Sequence, residues 1–310
     1  LMVSSLGFDL SVFDLFGVMG RGGSLVIPPP ATYADPGVWV ELVTRHGVNL
    51  WNSAPAQASM LLESCGPGEL AGLRFVLVSG DWVPVDLGVR LWEHNPRMTV
   101  VAGGGATEAG IWSNCHVLAP GDEDGASIPY GIALSGQDMD VVDTHLNSCP
   151  DLVAGDIVIA GDALAGGYEN DPELTARKFI TDPRGRRIYL TGDRGRWLPN
   201  GEIEFLGRLD TQVKIHGHRI ELTDVEHAIA SHPEVAKAVV VASEGMDRAM
   251  YGAVVPVPGA DPGIGELIAW QADRIPWPCS FLSLLDEFPL TRNGKVDRKA
   301  LLLSLIHISE

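Results

Sequence analysis

The sequence predicts an α/β layered domain followed by a small α+β module. Three observations carry this. Short β-branched apolar runs alternate with helical spacing over the first two hundred residues, strands become closely spaced from about Gly155, and a helix–strand–helix–strand series follows Asp210.

Taken in order, Gly23–Ile27 (GSLVI), Leu73–Ser79 (LRFVLVS) and Met98–Ala102 (MTVVA) read as strands bounded by turn formers. Between them, 36–46 and 55–64 carry helix-compatible spacing. GDIVIAG, RIYLTGD, EIEFLG and QVKIHG then read as strands, with Pro199-Asn200-Gly201 as a turn between two of them. Asp171-Pro172-Glu173 marks a helix start, because proline there gives up a donor no helix needs. Thr223 and Glu226 have capping-box spacing, with Val225, Ala228 and Ile229 on one helical face. Val235–Ala242 reads as a strand, Ile264–Arg274 as a helix, and a final strand closes the module. Its boundary is expected near Arg208–Asp210.

Composition narrows the function classes. The chain has 310 residues, 45% of them hydrophobic and 20% charged, enough for one large core or two. A formal charge of −18 argues against a nucleic-acid partner, which needs a basic footprint, but leaves a nucleotide ligand open. Cys65, Cys115, Cys149 and Cys279 lie far apart without a CxxC pair. Neither a disulfide framework nor a zinc site is expected, and a reducing cytoplasm is the natural setting. No apolar run is long enough to span a bilayer. The start, LMVSSLGFDL, lacks the basic region of a signal peptide and reads like a strand entered midway.

Four segments carry the chemistry: Phe8-Asp9-Leu10-Ser11 running into Val12-Phe13-Asp14-Leu15-Phe16-Gly17; Gly103-Gly104-Gly105-Ala106-Thr107-Glu108; Tyr189-Leu190-Thr191-Gly192-Asp193 followed by GEIEFLGRLDTQVKIHGHRIEL; and Pro289-Leu290-Thr291-Arg292-Asn293-Gly294-Lys295-Val296-Asp297-Arg298-Lys299. Each alone would be an ordinary turn or solvated loop. In this order and spacing they resemble the later core motifs of nonribosomal peptide synthetase adenylation domains, within the adenylate-forming superfamily. The likeness runs from residue 4 to about Leu301.

The resemblance implies the later part of a large layered α/β subdomain at 1–209, a small mobile α+β subdomain at 210–301, and an unmatched tail at 302–310. It implies that a carboxylate attacks the α-phosphate of ATP, giving an acyl-adenylate and pyrophosphate, and that a phosphopantetheine thiol then takes the acyl group. Glu108 corresponds to the family's Mg2+ ligand, a hard oxygen donor. Thr107 would hydrogen-bond the α-phosphate, while Gly103, Gly104, Gly105 and Ala106 let the backbone approach the nucleotide. The family often has an aromatic residue where Gly104 stands, so that stacking surface is missing here. Asp193 would accept from the ribose diol, with Phe205 and Arg208 also at the nucleotide. Lys295 would neutralise the attacking carboxylate and the bridging phosphate oxygen. Asp210 corresponds to the family's hinge, about which the small subdomain rotates to bring Lys214 and the Gly217 loop to the site.

Asp9 points to an amino-acid substrate, since a buried ammonium needs a paired carboxylate. The plainer alternative is that Asp9 caps a helix starting at Ser11. By resemblance the remaining pocket positions are Leu10, Phe13, Asn52, Leu77, Ser79, Gly103, Ile111 and Trp112. Two bulky aromatics with modest polarity from Asn52 and Ser79 suit a small, slightly polar side chain. The set resembles cysteine-activating pockets, with serine, alanine and threonine remaining open, and Gly103 is expected to leave extra room.

The chain also departs from the family. The phosphate loop that precedes these motifs is absent, so the reading is of an N-terminally truncated domain with exposed sheet edges and apolar faces. The 275–284 stretch is shorter than the family's pattern, and 302–310 has no counterpart. The expected partners are a small amino acid, ATP, a peptidyl-carrier domain and a condensation or cyclisation domain, with no nucleic acid and no membrane. Two rival readings stand beside this one: an acyl-CoA or aryl-acid ligase of the same superfamily, and an inactive remnant serving as an interaction module.

Overall fold

The computed structural model describes residues 1–208, 212–215, 218–243, 248–289 and 296–309, but not the side chains of Gln212, Lys214, Arg219 and 307–309. The chain divides into two compact units, Leu1–Leu209 and Asp210–Glu310.

The first unit opens on a short helix, α1 (Leu10–Val12), which continues as a π-helical stretch over Phe13–Val18. Helix α2 (Pro36–His46) has sharp ends for local reasons. Asp35 Oδ1 accepts from Gly37 N–H at 2.9 Å, proline takes the first helical position, and Gly47 closes the helix at φ 59°. Then come β1 (Leu50–Ser53), α3 (Pro55–Ser64), β2 (Phe75–Ser79), α4 (Leu87–His94), β3 (Thr99–Gly104), β4 (Asn114–Val117) and β5 (Ile132–Ala133). These strands form one sheet in the order β1-β2-β3-β4-β5, with β1 to β3 parallel and the later pairs antiparallel.

Side chains alternate across this sheet. Val76, Val78, Val100 and Ala102 join Trp39, Val43, Leu61, Leu87 and Leu91 of the helices in one buried core. In the register, Asn52 stands opposite Leu77 and Ser79 opposite Gly103. These four therefore share the other face, at the C-terminal ends of neighbouring parallel strands, where ligands of such sheets bind.

A second, antiparallel sheet follows: β6 (Gln137–Val142), β7 (Gly155–Gly161), β8 (Phe179–Thr181), β9 (Arg187–Trp197) and β10 (Ile203–Arg208), in the order β10-β9-β7-β6 with β8 on β9. Helix α5 (Pro172–Lys178) precedes β8, and Asp171 caps it by accepting from Leu174 N–H at 2.8 Å. Between β9 and β10, Gly201 takes φ 82°, and Leu198 N–H donates to Glu202 O at 2.8 Å.

The second unit contains the hairpin β11 (Gln212–Ile215) and β12 (His218–Glu221), then α6 (Leu222–Ala230), β13 (Val235–Ala242), β14 (Met250–Pro256), α7 (Ile264–Ala272), β15 (Phe281–Leu284) and α8 (Arg298–Ser309). Its three-stranded sheet runs β13-β14-β15, antiparallel then parallel. Val225, Ile229, Val240, Val254, Leu267 and Cys279 form the core.

Three sequence expectations are corrected here. GSLVI is not a strand: Met2 N–H to Val26 O at 2.9 Å is its pairing to the sheet, and three prolines that donate nothing follow it. Thr223 does not cap α6, because Glu221 stands at the N-cap. Glu226 instead accepts from Val240 N–H at 2.8 Å and pairs with Arg298 at 2.8 Å. β14 was not anticipated, and it is the central strand of its sheet. The stretch through 275–284 forms β15, and residues from 302 onward continue α8, with Leu301 and Leu305 buried against Val239, Val241 and Ala253. Leu6 and Phe16 are 73% and 74% exposed.

Candidate active site

The structure brings the predicted pocket residues of the first unit together. The indole N–H of Trp112 donates to Ser79 Oγ at 2.8 Å, and the Phe13 ring meets Trp112 edge-on at 5.2 Å between centroids. Asn52 is fully buried, and its amide donates to Leu10 O and to Asp14 Oδ1, each at 3.1 Å. Both amide hydrogens are thereby used, and the carbonyl oxygen Oδ1 has no protein partner. Leu77 and Trp112 close on Gly103: a Cβ there would stand 3.1 Å from Trp112 Cδ1 and 3.4 Å from Leu77 Cδ1. The extra room expected at Gly103 is thus filled by the Trp112 indole. Ile111 adopts φ 74°, a strained backbone for a β-branched residue, and turns the chain between Gly110 and Trp112.

Asp9 does not cap a helix. It has helical φ/ψ and makes no side-chain cap hydrogen bond. Its Oδ2 instead accepts from the Thr107 hydroxyl at 2.6 Å, so the residue expected at the substrate ammonium touches the one expected at the α-phosphate. Glu108 Oε1 accepts from the Tyr168 hydroxyl at 2.7 Å. Burial, then the Glu108 hydrogen bond, push the Tyr168 phenol far above its ordinary value, so it stays a donor. Arg208 pairs with Asp193 directly across β10 and β9, and also donates to Thr191 O at 3.0 Å. Phe205 lies 5.7 Å from the Trp82 ring.

Sequence reasoning missed Asp14 and Tyr168. Asp14 is 1% exposed, and its carboxyl is raised to about 6 by burial, against the lowering effect of its hydrogen bond from Asn52. It fixes the orientation of Asn52. Its place within the Phe8–Gly17 motif was the available signal, whereas Tyr168 carries none in sequence. Lys295, Asp210 and Gly217 lie outside the described residues, as does the Lys214 side chain.

Among the described residues no group of three His, Cys, Asp or Glu side chains could hold a metal ion. Magnesium bound chiefly through substrate phosphates needs only one or two protein carboxylates. Glu108, oriented by Tyr168, fits that requirement. Among the described residues no helix is long and apolar enough to cross a membrane.

Three parallel strands of a mixed sheet thus carry polar side chains at their ends, beside a glycine loop leading into Thr-Glu. Residues 1–169 match the AMP-binding enzyme family, and residues 224–295 match the AMP-binding enzyme C-terminal domain. The chain belongs to the AMP-binding enzyme family, and its likenesses place it with the adenylation domains of nonribosomal peptide synthetases. It is 49% identical over 252 residues to pyochelin synthetase PchF of Pseudomonas aeruginosa, covering 80% of this chain and 14% of that protein. The solved structure of holo-PA1221, a synthetase protein containing adenylation and PCP domains, aligns with TM-score 0.82 at 32% identity, covering 97% of this chain and 52% of that one. The Vibrio cholerae adenylation domain AlmE, in complex with glycyl-adenosine-5'-phosphate, aligns with TM-score 0.85 at 25% identity, covering 98% and 58%. The chain thus spans a small part of the synthetase it resembles and just over half of the solved chains.

Proposed function

We propose that this chain activates a small amino acid, L-cysteine first among the candidates, as its aminoacyl-adenylate, and passes it to the phosphopantetheine thiol of a carrier domain. The observation that carries this reading is the grouping of Asn52, Leu77, Ser79, Gly103 and Trp112 at the strand ends, with Asp9 hydrogen-bonded to Thr107. Phe13 edge-on to Trp112, with Trp112 and Leu77 closing on Gly103, favours a short side chain. The buried Asn52 carbonyl, lacking a protein partner, offers an acceptor to a thiol or hydroxyl hydrogen. AlmE, which shares the fold, is itself complexed with the adenylate of a small amino acid.

In this mechanism Asp9 receives the substrate ammonium and releases the Thr107 hydroxyl, which turns to an α-phosphate oxygen. Asp193 accepts from the ribose hydroxyls while Arg208 holds its carboxylate in place. Glu108 would hold Mg2+, which would neutralise phosphate charge. Lys295 steadies the attacking carboxylate, Asp210 serves as the hinge, and Lys214 is presented after rotation. A condensation or cyclisation domain would receive the loaded carrier.

The test is thermal stabilisation of the chain by non-hydrolysable cysteinyl, seryl, threonyl and salicyl adenylate mimics, since a ligand of the native state raises its stability by mass action. The largest shift is expected for the cysteinyl mimic. A salicyl mimic that matches it would overturn amino-acid activation, and a cooperative melt unmoved by any mimic would mark a folded remnant.

A further inference from the structure

Position 104 is glycine, and the space above it is taken. A Cβ built on Gly104 would stand 2.0 Å from Cε2 of Tyr130 and 2.6 Å from its Cζ. The Tyr130 ring thus fills the volume that a side chain at 104 would claim. Tyr130 is held from two sides: its N–H donates to Ile203 O at 2.7 Å, and the Asn114 amide donates to its carbonyl. Its ring lies 5.6 Å from that of Phe205, and Trp82, Tyr130 and Phe205 line one cleft with Gly103. The Gly105 backbone hydrogen-bonds the phenol, which also lies in the fields of Asp193 and Arg208.

We propose that Tyr130 is the aromatic wall against which the nucleotide base lies, supplied from the approach to β5 and not from position 104. This rests on the nucleotide-site reading above. A purine needs a flat apolar surface, and the glycine loop 103–105 offers backbone alone. Tyr130 reaches the same place from the segment that leads into β5. It touches the loop expected at the phosphates and faces the pair expected at the ribose. Two rings cannot occupy the position together, so glycine at 104 and tyrosine at 130 form one matched choice.

The experiment is calorimetric binding of AMP and of ribose 5-phosphate to the full chain. Tyr130→Leu is expected to weaken AMP roughly tenfold, the scale of base–aromatic stacking, and to leave ribose 5-phosphate unchanged. Tyr130→Phe keeps the ring and is expected to keep AMP affinity. Gly104→Tyr alone should lose AMP, and Gly104→Tyr combined with Tyr130→Gly should recover it. Equal loss of both ligands in Tyr130→Leu, unchanged AMP affinity in that variant, or failure of the paired variant to recover would each overturn the proposal. Should the leucine variant not fold, loss of AMP in Tyr130→Phe overturns it on its own. A wild-type chain that binds no AMP sinks the nucleotide reading itself, which is a separate result.

Discussion

Thr107 donates its hydroxyl to the Asp9 carboxylate at 2.6 Å, joining positions 98 residues apart in the chain. Both side chains belong to the proposed site, and each holds the place of the other's ligand. On that proposal the amine and phosphate ends of the site are linked through this bond.

Asp9→Ala is expected to weaken a cysteinyl-adenylate mimic by about a hundredfold or more, the scale of a buried charge left without its partner. AMP, which lacks the ammonium, should bind the variant as it binds the wild type. Titration calorimetry with both ligands checks this, and equal losses would remove Asp9 from the amine site.

At Gly103 the pocket is closed by Trp112 and Leu77. Gly103→Leu should force these side chains apart and weaken the cysteinyl mimic by at least about tenfold, the cost of overpacking a filled space. A variant that binds a larger aminoacyl mimic better than cysteinyl would show instead that Trp112 yields readily.

His116 sits between Asp122 at 2.9 Å and Glu202 at 2.7 Å. Burial disfavours its charge, but hydrogen bonds and attraction from both carboxylates outweigh that and raise its pKa. The folded state therefore holds the proton more tightly. The resulting stabilisation is complete below the unfolded value of about 6.5 and is lost as pH rises through the folded one. Urea midpoints of the wild type should fall across that window, and His116→Gln should flatten the fall. An unchanged slope would place the pH dependence elsewhere.

Glu226 ties three elements of the second unit: it sits on α6, accepts from β13 and pairs with Arg298 of α8. Glu226→Ala leaves the Val240 N–H without its acceptor and Arg298 without its carboxylate, though Arg298 still donates to Val240 O at 2.6 Å, and should cost about 1–3 kcal/mol. Chemical denaturation monitored by Trp270 and Trp277 fluorescence measures this, and a loss within error would show that water replaces the carboxylate.

These cases also show what the sequence made legible. Helices 36–46 and 55–64 were readable because their boundaries are local: the cap at Asp35, the prolines at first positions and the left-handed Gly47. The proposed pocket positions rest on resemblance. Pairings across the chain were not. Glu226 has capping-box spacing but serves partners at 240 and 298, which no local pattern reveals. β14 carries Gly252 inside the strand, which weakened its signal, yet a Cβ there would meet Leu282 Cδ2 at 2.4 Å. Tyr130 belongs to no motif, and its role follows from the empty position at 104 that only the fold brings beneath it.

Asn52, Leu77, Ser79 and Gly103 stand at the ends of three adjacent parallel strands, with Ile111 and Trp112 on the loop beyond. Apart from Leu10 and Phe13, the proposed pocket positions are therefore encoded in one unbroken stretch from 52 to 112, while Asp193, Phe205 and Arg208 lie on the other sheet. A cassette exchange between related chains over that stretch would carry a new side-chain preference with it and leave the ribose clasp untouched. Asp9, outside the cassette, would go on serving any α-amino acid the new walls admit.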